Sequence, residues 1–398
     1  MSAIPEVRRR RTALMVIGSV AVVAVIGVLL YVGGKALARY EGAKDASTDA
    51  EPIPVTPVGM LASVDELDQL TTVTIFVNRP AGEPGGSIIA VPVSADVMGG
   101  IDGQRVPLTE TYTAGGAAGL VQAVESLLSL TIDQSLVATE AQLGALLQPV
   151  APVVVNFPSD VLDGSGDEPD VVYEAGEASL SGGQLASVLT ATVEGAPEAE
   201  RWGNVEAVWQ GVDAAIGDGR TPAVATPPTT LDQIVNQVFA GSAGSRGLVV
   251  TDLPADEVPE GKDVAQLDRA DAVFVLATVA PSNMSAVATG LVYRVEAPPG
   301  YEDKVKWVIS ALLYLNANVQ WVKLDGPVQD ATLVYLADSN LADDALGAEL
   351  LFGDDVEQAD SDFRIEGIDV IIQLGTSFLD DPESGNTLPS TTTTTTTP

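Results

Sequence analysis

The chain has 398 residues and contains neither His nor Cys. Imidazole acid–base chemistry, thiolate nucleophiles, disulfides and zinc sites of the Cys/His type are therefore excluded. What remains is carboxylate, hydroxyl and guanidinium chemistry. Asp160, Asp163, Asp167, Glu168 and Asp170 crowd one Gly-containing stretch. Their density could attract calcium, but the spacing departs from the EF-hand loop and the closing Glu is missing, so a solvated loop is the better reading. Gly241, Gly244 and Gly247 stand before a strand signal, not between a strand and a helix, which removes them as a phosphate cradle. With 55 Asp and Glu, no carboxylate pair is marked by its spacing for glycoside hydrolysis. Cations are scarce. From residue 57 to 290 there are only Arg79, Arg105, Arg201, Arg220, Arg246, Lys262 and Arg269, and no two are adjacent.

The elements that must position these groups begin with a charge pattern. Against the 55 acids stand 19 Lys and Arg, a formal net charge of −36. A body of that sign repels phosphate backbones, which argues against direct nucleic-acid binding. Arg8, Arg9, Arg10 and Arg11 precede Ala13 to Val32, an uncharged run long enough to cross a bilayer as a helix. The positive-inside rule then puts residues 1–12 in the cytoplasm and the rest of the chain outside. Ala36-Leu37-Ala38 resembles a signal-peptide cleavage site, but the apolar run exceeds the usual length of such a peptide. Residues 33–57 read as a linker, with a proline-containing flexible stalk from Glu41 to Pro57. Residues 380–398 end in Ser390 and Thr391 to Thr397, with almost nothing apolar to bury, and are expected to be a disordered tail.

Between these ends the pattern is mixed α/β. Val73 to Val77 and Ser87 to Val93 read as strands around a Gly/Pro turn, with further strands at Ile132 to Ala138 and Val150 to Phe157. Gly115 and Gly116 precede Leu120, Val121, Val124, Leu127 and Leu128, which share one helical face. Ser181 can cap a helix carrying Leu185, Val188 and Leu189, and Val205 to Ile216 holds another apolar stripe. Thr230 and Gln233 have capping-box spacing, and Gly247 to Thr251 and Ala272 to Ala277 read as strands. The four tryptophans, Trp202, Trp209, Trp307 and Trp321, are expected in core or half-buried places. From Ala288 the order repeats as strand, helix, two strands, a helix at Leu341 to Phe352 and a closing strand at Ile368 to Leu374.

Several strings carry a family resemblance: TVTIFV, SIIAVPVSADV, GGAAGLVQAVESLLSLTIDQ and LSGGQLASVLTA, spanning about Thr72 to Ile216 with the helix that follows. They resemble the LytR-CpsA-Psr family of exported envelope proteins. GIDVIIQLGTSF, from Gly367 to Phe378, is similar to the closing strand of the LytR C-terminal domain, which in actinobacteria often trails the first. The resemblance implies a single N-terminal span, an α/β sandwich holding a polyprenyl pyrophosphate lipid, and in active members transfer of glycopolymer to the wall. An Asp for a metal and several Arg would grip the pyrophosphate. Preorganised guanidinium groups and a divalent cation are what such a leaving group requires.

Matched residue by residue, this chain departs from that pattern. The family's Asp-Thr pair falls at Val73-Thr74, its Pro-Arg-Asp at Pro92-Val93-Ser94, its Lys-Ile-Asn at Pro107-Leu108-Thr109, and two arginines at Thr190 and Thr192. Arg201, just before the helix that carries arginines in the family, is the leading candidate for a lipid-pyrophosphate contact, with Arg79 and Arg105 behind it. No catalytic or metal-binding residue is assigned, and Mg would be needed only by an active enzyme.

The reading that follows is an α/β protein in six parts: 1–12 cytoplasmic, 13–32 transmembrane, 33–57 linker, 58–287 LytR-CpsA-Psr-like, 288–379 LytR C-terminal-like and 380–398 tail. Its expected work is non-catalytic binding of a lipid-linked glycan precursor, a wall polymer or a family partner. An active phosphotransferase and a structural spacer are the alternatives.

Overall fold

The computed structural model describes residues 51–381 apart from 101–103, 166–167, 218, 220–227, 255, 342–350, 353–355 and 361–364. The expected span, cytoplasmic tail and nearly all of the Thr-rich tail lie outside the described residues. Among the described residues no helix is long and apolar enough to cross a membrane.

The first half runs β1 (Val58–Val64), β2 (Leu70–Asn78), β3 (Gly86–Val91), α1 (Leu108–Leu128), β4 (Gln134–Thr139), α2 (Glu140–Leu147), β5 (Val153–Phe157), β6 (Val161–Asp163), β7 (Asp170–Tyr173), β8 (Gly176–Leu180), α3 (Gly182–Thr190), α4 (Ala199–Ile216), α5 (Leu231–Phe239), β9 (Ala243–Gly247), β10 (Val250–Asp252), β11 (Ala265–Leu267) and α6 (Arg269–Val279). A five-stranded mixed sheet, ordered β4-β1-β2-β3-β9, lies at its centre. Side chains alternate across it with the strand period of two. Val58, Met60, Ala62, Val73, Ile75 and Val77 point into one core, covered by α1 and α6. Leu61 and Phe76 point into the other, covered by α2, α3, α4 and α5. Every residue of β1 and β2 is buried, as expected of strands sandwiched between two helical layers.

The second half runs β12 (Val292–Glu296), α7 (Glu302–Tyr314), β13 (Asn318–Lys323), β14 (Thr332–Leu336), β15 (Val356–Asp360), β16 (Val370–Gln373) and the single turn α8 (Thr376–Leu379). Its sheet is ordered β13-β12-β16-β14-β15. Val305, Val308, Ile309 and Leu312 of α7 join the same core as β1, β2 and α6, so apolar packing is continuous across the segment around residues 287 and 288.

Several local expectations change. Ala272 to Ala277 is not a strand but the middle of α6. The run is buried on all sides between the two halves, which erases the helical period, and the decisive signal is Asp268, whose side chain accepts from the Asp271 N–H. Gly247 to Thr251 is split between β9 and β10. The helix expected after Gly115 and Gly116 begins at Leu108 instead, and Gly116 interrupts it at φ 59°, a backbone geometry that glycine reaches without strain. Thr230 caps α5, but Gln233 reaches back to the Thr229 N–H, so the box closes one residue early. The stalk does not run free to Pro57: Thr56 bonds Ser282 through its N–H and hydroxyl at 2.9 and 3.0 Å, and Ile53 packs beside Trp321 and Ile371. β1 and β15 carried no strand expectation. Of the helix expected from Leu341 to Phe352, Leu341 ends a short 3-10 turn, Leu351 and Phe352 are helical and buried, and residues 342–350 lie outside the described residues.

Candidate functional site

A cavity of about 660 Å³ opens in the first half where β2, the end of β3, the β6 hairpin and the segment joining α3 to α4 meet. Glycine lets α3 and α4, the helices on either side of this segment, pack close to their own neighbours. A Cβ on Gly211 of α4 would stand 2.7 Å from the Val154 carbonyl oxygen of β5, and one on Gly182 of α3 would stand 2.6 Å from the Gly144 carbonyl oxygen of α2. The helices thus approach strand and helix backbone at distances no larger side chain permits.

Arg201 lies inside the first turn of α4, not before it, and lines the cavity. It is not the exposed surface charge that a cation near a helix start would ordinarily be. One terminal nitrogen donates to the Thr71 carbonyl oxygen of β2 at 2.7 Å, the other to the Leu189 carbonyl oxygen of α3 at 2.6 Å. Burial pushes the Arg201 guanidinium pKa down, and the nearby Glu198 and Asp163 charges push it back up.

Glu198, three residues earlier, is 7% exposed. Its carboxylate accepts from two successive backbone N–H groups beyond β3, Val93 at 2.9 Å and Ser94 at 2.8 Å. Its own N–H donates to Asp263 at 2.7 Å. Burial raises the Glu198 pKa, while those two N–H groups and the Arg201 charge oppose the rise. The paired N–H groups would otherwise suit an incoming anion, so the protein's own carboxylate occupies a ready anion niche.

Lys262 is the other cation on the cavity wall, and it donates to Glu110 at 2.7 Å. Six carboxylates line the same cavity: Asp65, Asp160, Glu194, Glu198, Glu200 and Asp263. Asn204, one turn past Arg201 on α4 and also lining the cavity, is buried and donates through Nδ2 to the Asp160 carbonyl oxygen at 3.2 Å. Its Oδ1 has no partner.

The three arginines singled out in the sequence are not brought together. Arg79 lies at the turn after β2 and donates to Ser242 at 2.8 Å. Arg105 pairs with Asp96 at 2.8 Å and with Glu257, and it also bonds Gln266. Neither lines the cavity. Of the acidic stretch, Asp160 accepts from the Ala175 N–H and Asp163 from the Thr192 N–H, which ties the β6–β7 hairpin to its neighbours. Among the described residues no cluster of acids is arranged to hold a metal ion. Trp209 and Trp321 are buried, and Trp202 and Trp307 pack half-buried against the cores.

Glu198 and Asn204 carried no functional expectation in the sequence. The i, i+3 spacing of Glu198 and Arg201 signals that the two charges are neighbours, but nothing local signals the capture of the Val93 and Ser94 N–H groups by Glu198. Nothing local marks Asn204, because its unpaired oxygen depends on the loop that brings Asp160 to α4.

No family model matches the sequence, and no curated protein does. Solved structures do show partial likeness. TagV of B. subtilis is 13% identical over 55% of this chain and 94% of its own, with a TM-score of 0.39. TagT bound to LIIa-WTA is 16% identical over 56% of this chain and 88% of its own, at 0.40. The LytR-CPS2A-psr family protein YwtF (TagT), with bound octaprenyl pyrophosphate lipid, is 17% identical over 55% of this chain and 86% of its own, at 0.36.

Proposed function

We propose that this chain is a single-span envelope protein whose folded part, carried outside the cell behind the apolar run Ala13 to Val32, binds a wall glycan without transferring it. The strings that resemble those of the LytR-CpsA-Psr family support the envelope setting. The loss of catalysis is supported by one observation above all: the groups that would grip a diphosphate already serve the fold. Glu198 fills the Val93 and Ser94 donors, and Arg201 bonds two main-chain carbonyls. An anionic headgroup would have to displace an internal carboxylate and find counter-charge in a cavity where acids outnumber cations.

The core between sheet and helices points the same way. Leu120, Val124 and Leu128 of α1 are at most 1% exposed, and Phe76, Trp209 and Phe239 fill the opposite face with edge-to-face contacts. A wall glycan is accordingly favoured over a lipid-linked precursor as the bound species.

The test supplies purified full chain in detergent micelles with a polyprenyl-pyrophosphate-linked glycan and Mg, beside a transferase-active relative as control. The expected result is carrier release by the control alone. Metal-dependent release by this chain would establish it as a phosphotransferase. Co-sedimentation with purified wall glycan separates a binding protein from a spacer, which would stay in the supernatant.

A further inference from the structure

The two five-stranded sheets have four edge strands, and one differs from the rest. β9 carries Arg246, β13 carries Lys323 and β15 carries Glu357. β4 reads QSLVAT, with no charge and no proline. It pairs with β1 in parallel without a bulge, and among the described residues no strand pairs with its other side. Charges, prolines and bulges are the devices that keep an edge strand from accepting another chain, and β4 has none of them.

A groove of about 610 Å³ lies beside this edge, between α2 and α5. Leu136, Leu146 and Leu231 supply its apolar surface, and the amides Gln134, Gln142 and Asn236 stand around them. The capping box at Thr139 uses Gln142 Oε1 and leaves Nε2 to donate. Gln134 and Asn236 make no side-chain hydrogen bond among the described residues. An open strand edge beside a helix, above an apolar floor, suits strand addition: main-chain groups bond main-chain groups, and the floor takes alternate side chains.

Charge selects the occupant. Asp232, in the first turn of α5, is the one charged residue lining the groove, and it has no ion pair among the described residues. A second copy of this chain would approach with a net charge of −36 of its own, so like charges oppose pairing of two such edges. We propose that the groove binds an extended peptide of another protein, uncharged and β-branched where it pairs with β4 and carrying a Lys or Arg that meets Asp232. The six residues of β4 offer about 20 Å of edge, room for a partner strand of similar length. None of the groove residues lines the Arg201 cavity, and the inference does not draw on the glycan reading.

The experiment is fluorescence anisotropy of a labelled peptide, acetyl-KTVTVTK-amide, titrated with the full chain in detergent micelles, with empty micelles as blank. A lysine at each end serves either strand direction. The expected result is saturable binding that weakens roughly fivefold when both lysines are replaced by glutamates. Methylating every main-chain nitrogen of the TVTVT core should weaken it by about tenfold or more, because several inter-strand hydrogen bonds lose their donors. Asp232→Asn should weaken the lysine peptide roughly threefold, and Glu302→Gln, on α7 of the second half, should change nothing. Equal binding of the methylated peptide would remove main-chain pairing and overturn the inference. Equal losses in Asp232→Asn and Glu302→Gln would reduce the effect to bulk attraction by an acidic protein and overturn it too. A dimer in sedimentation that the peptide disperses would give the edge to a second copy, and displacement of the peptide by N,N′-diacetylchitobiose would give the groove to a glycan. Either result, or no saturable binding of the lysine peptide, overturns the proposal.

Discussion

Replacing Arg201 with Met keeps the length of the aliphatic stem and removes the guanidinium. Two main-chain carbonyls, Thr71 on β2 and Leu189 at the end of α3, then lose their donors, and Glu198 loses its nearest opposite charge. Hydrogen bonds from a charged group contribute about 1.5–3 kcal/mol each. Cavity water can replace part of this, so the expected loss is roughly 2–4 kcal/mol. For a folded unit of this size that corresponds to a fall in melting temperature of roughly 4–8 °C. Arg201→Lys should recover less than half, because one ammonium group cannot span two carbonyls as a planar fork does. The assay is thermal and chemical denaturation of each variant beside the parent. An Arg201→Met protein as stable as the parent would refute the reasoning and return Arg201 to the role of a ligand contact.

Three further outcomes are expected. Burial raises the folded-state pKa of Glu198 above its ordinary value, so its contribution to stability is fully present below the unfolded pKa and is lost as pH rises through the folded one. The stability difference between parent and Glu198→Gln should therefore shrink from mildly acidic toward neutral pH, with a residual slope in the variant from Glu206 and Asp213, whose pKa values burial raises in the same direction. Melting curves across that range check it, and a difference that grows with pH would contradict it. Gly211→Ala drives a methyl against the Val154 carbonyl oxygen, and overpacking of about 1–3 kcal/mol should exceed the gain in helix propensity of about 1 kcal/mol, as a denaturant midpoint would show. Asp271 is 3% exposed and links Arg246 at 2.5 Å to Lys306 at 3.1 Å, joining β9 to α7. Because both cations are about one-third exposed, Asp271→Ala should cost roughly 1–3 kcal/mol, less than a fully buried pair, and protease cleavage near residues 285–291 should quicken.

How much of this was legible in the sequence depends on whether the signal was local. Ser181 with Gln184 declares the start of α3, and the structure closes that capping box in both directions. The stripe from Val205 to Ile216 declares α4. Where burial is complete on all sides the pattern loses its period, and Ala272 to Ala277 then looks the same as a strand or a helix. The site follows the same division. A shortage of cations is a property of composition and needs no fold to be seen. The capture of the Val93 and Ser94 N–H groups by Glu198 joins residues more than 100 positions apart, and only the folding of α4 against the end of β3 reveals it. Arg201 was found for its chemistry, yet its partners are carbonyl oxygens that no sequence pattern marks.

Equilibrium dialysis of the full chain in detergent micelles against labelled geranylgeranyl pyrophosphate, with and without Mg, addresses most directly whether the cavity has been closed to diphosphates from within. No saturable uptake by the parent protein is expected, with uptake appearing only when Glu198→Ala vacates the paired N–H groups. Saturable binding by the parent that Arg201→Met abolishes would contradict it.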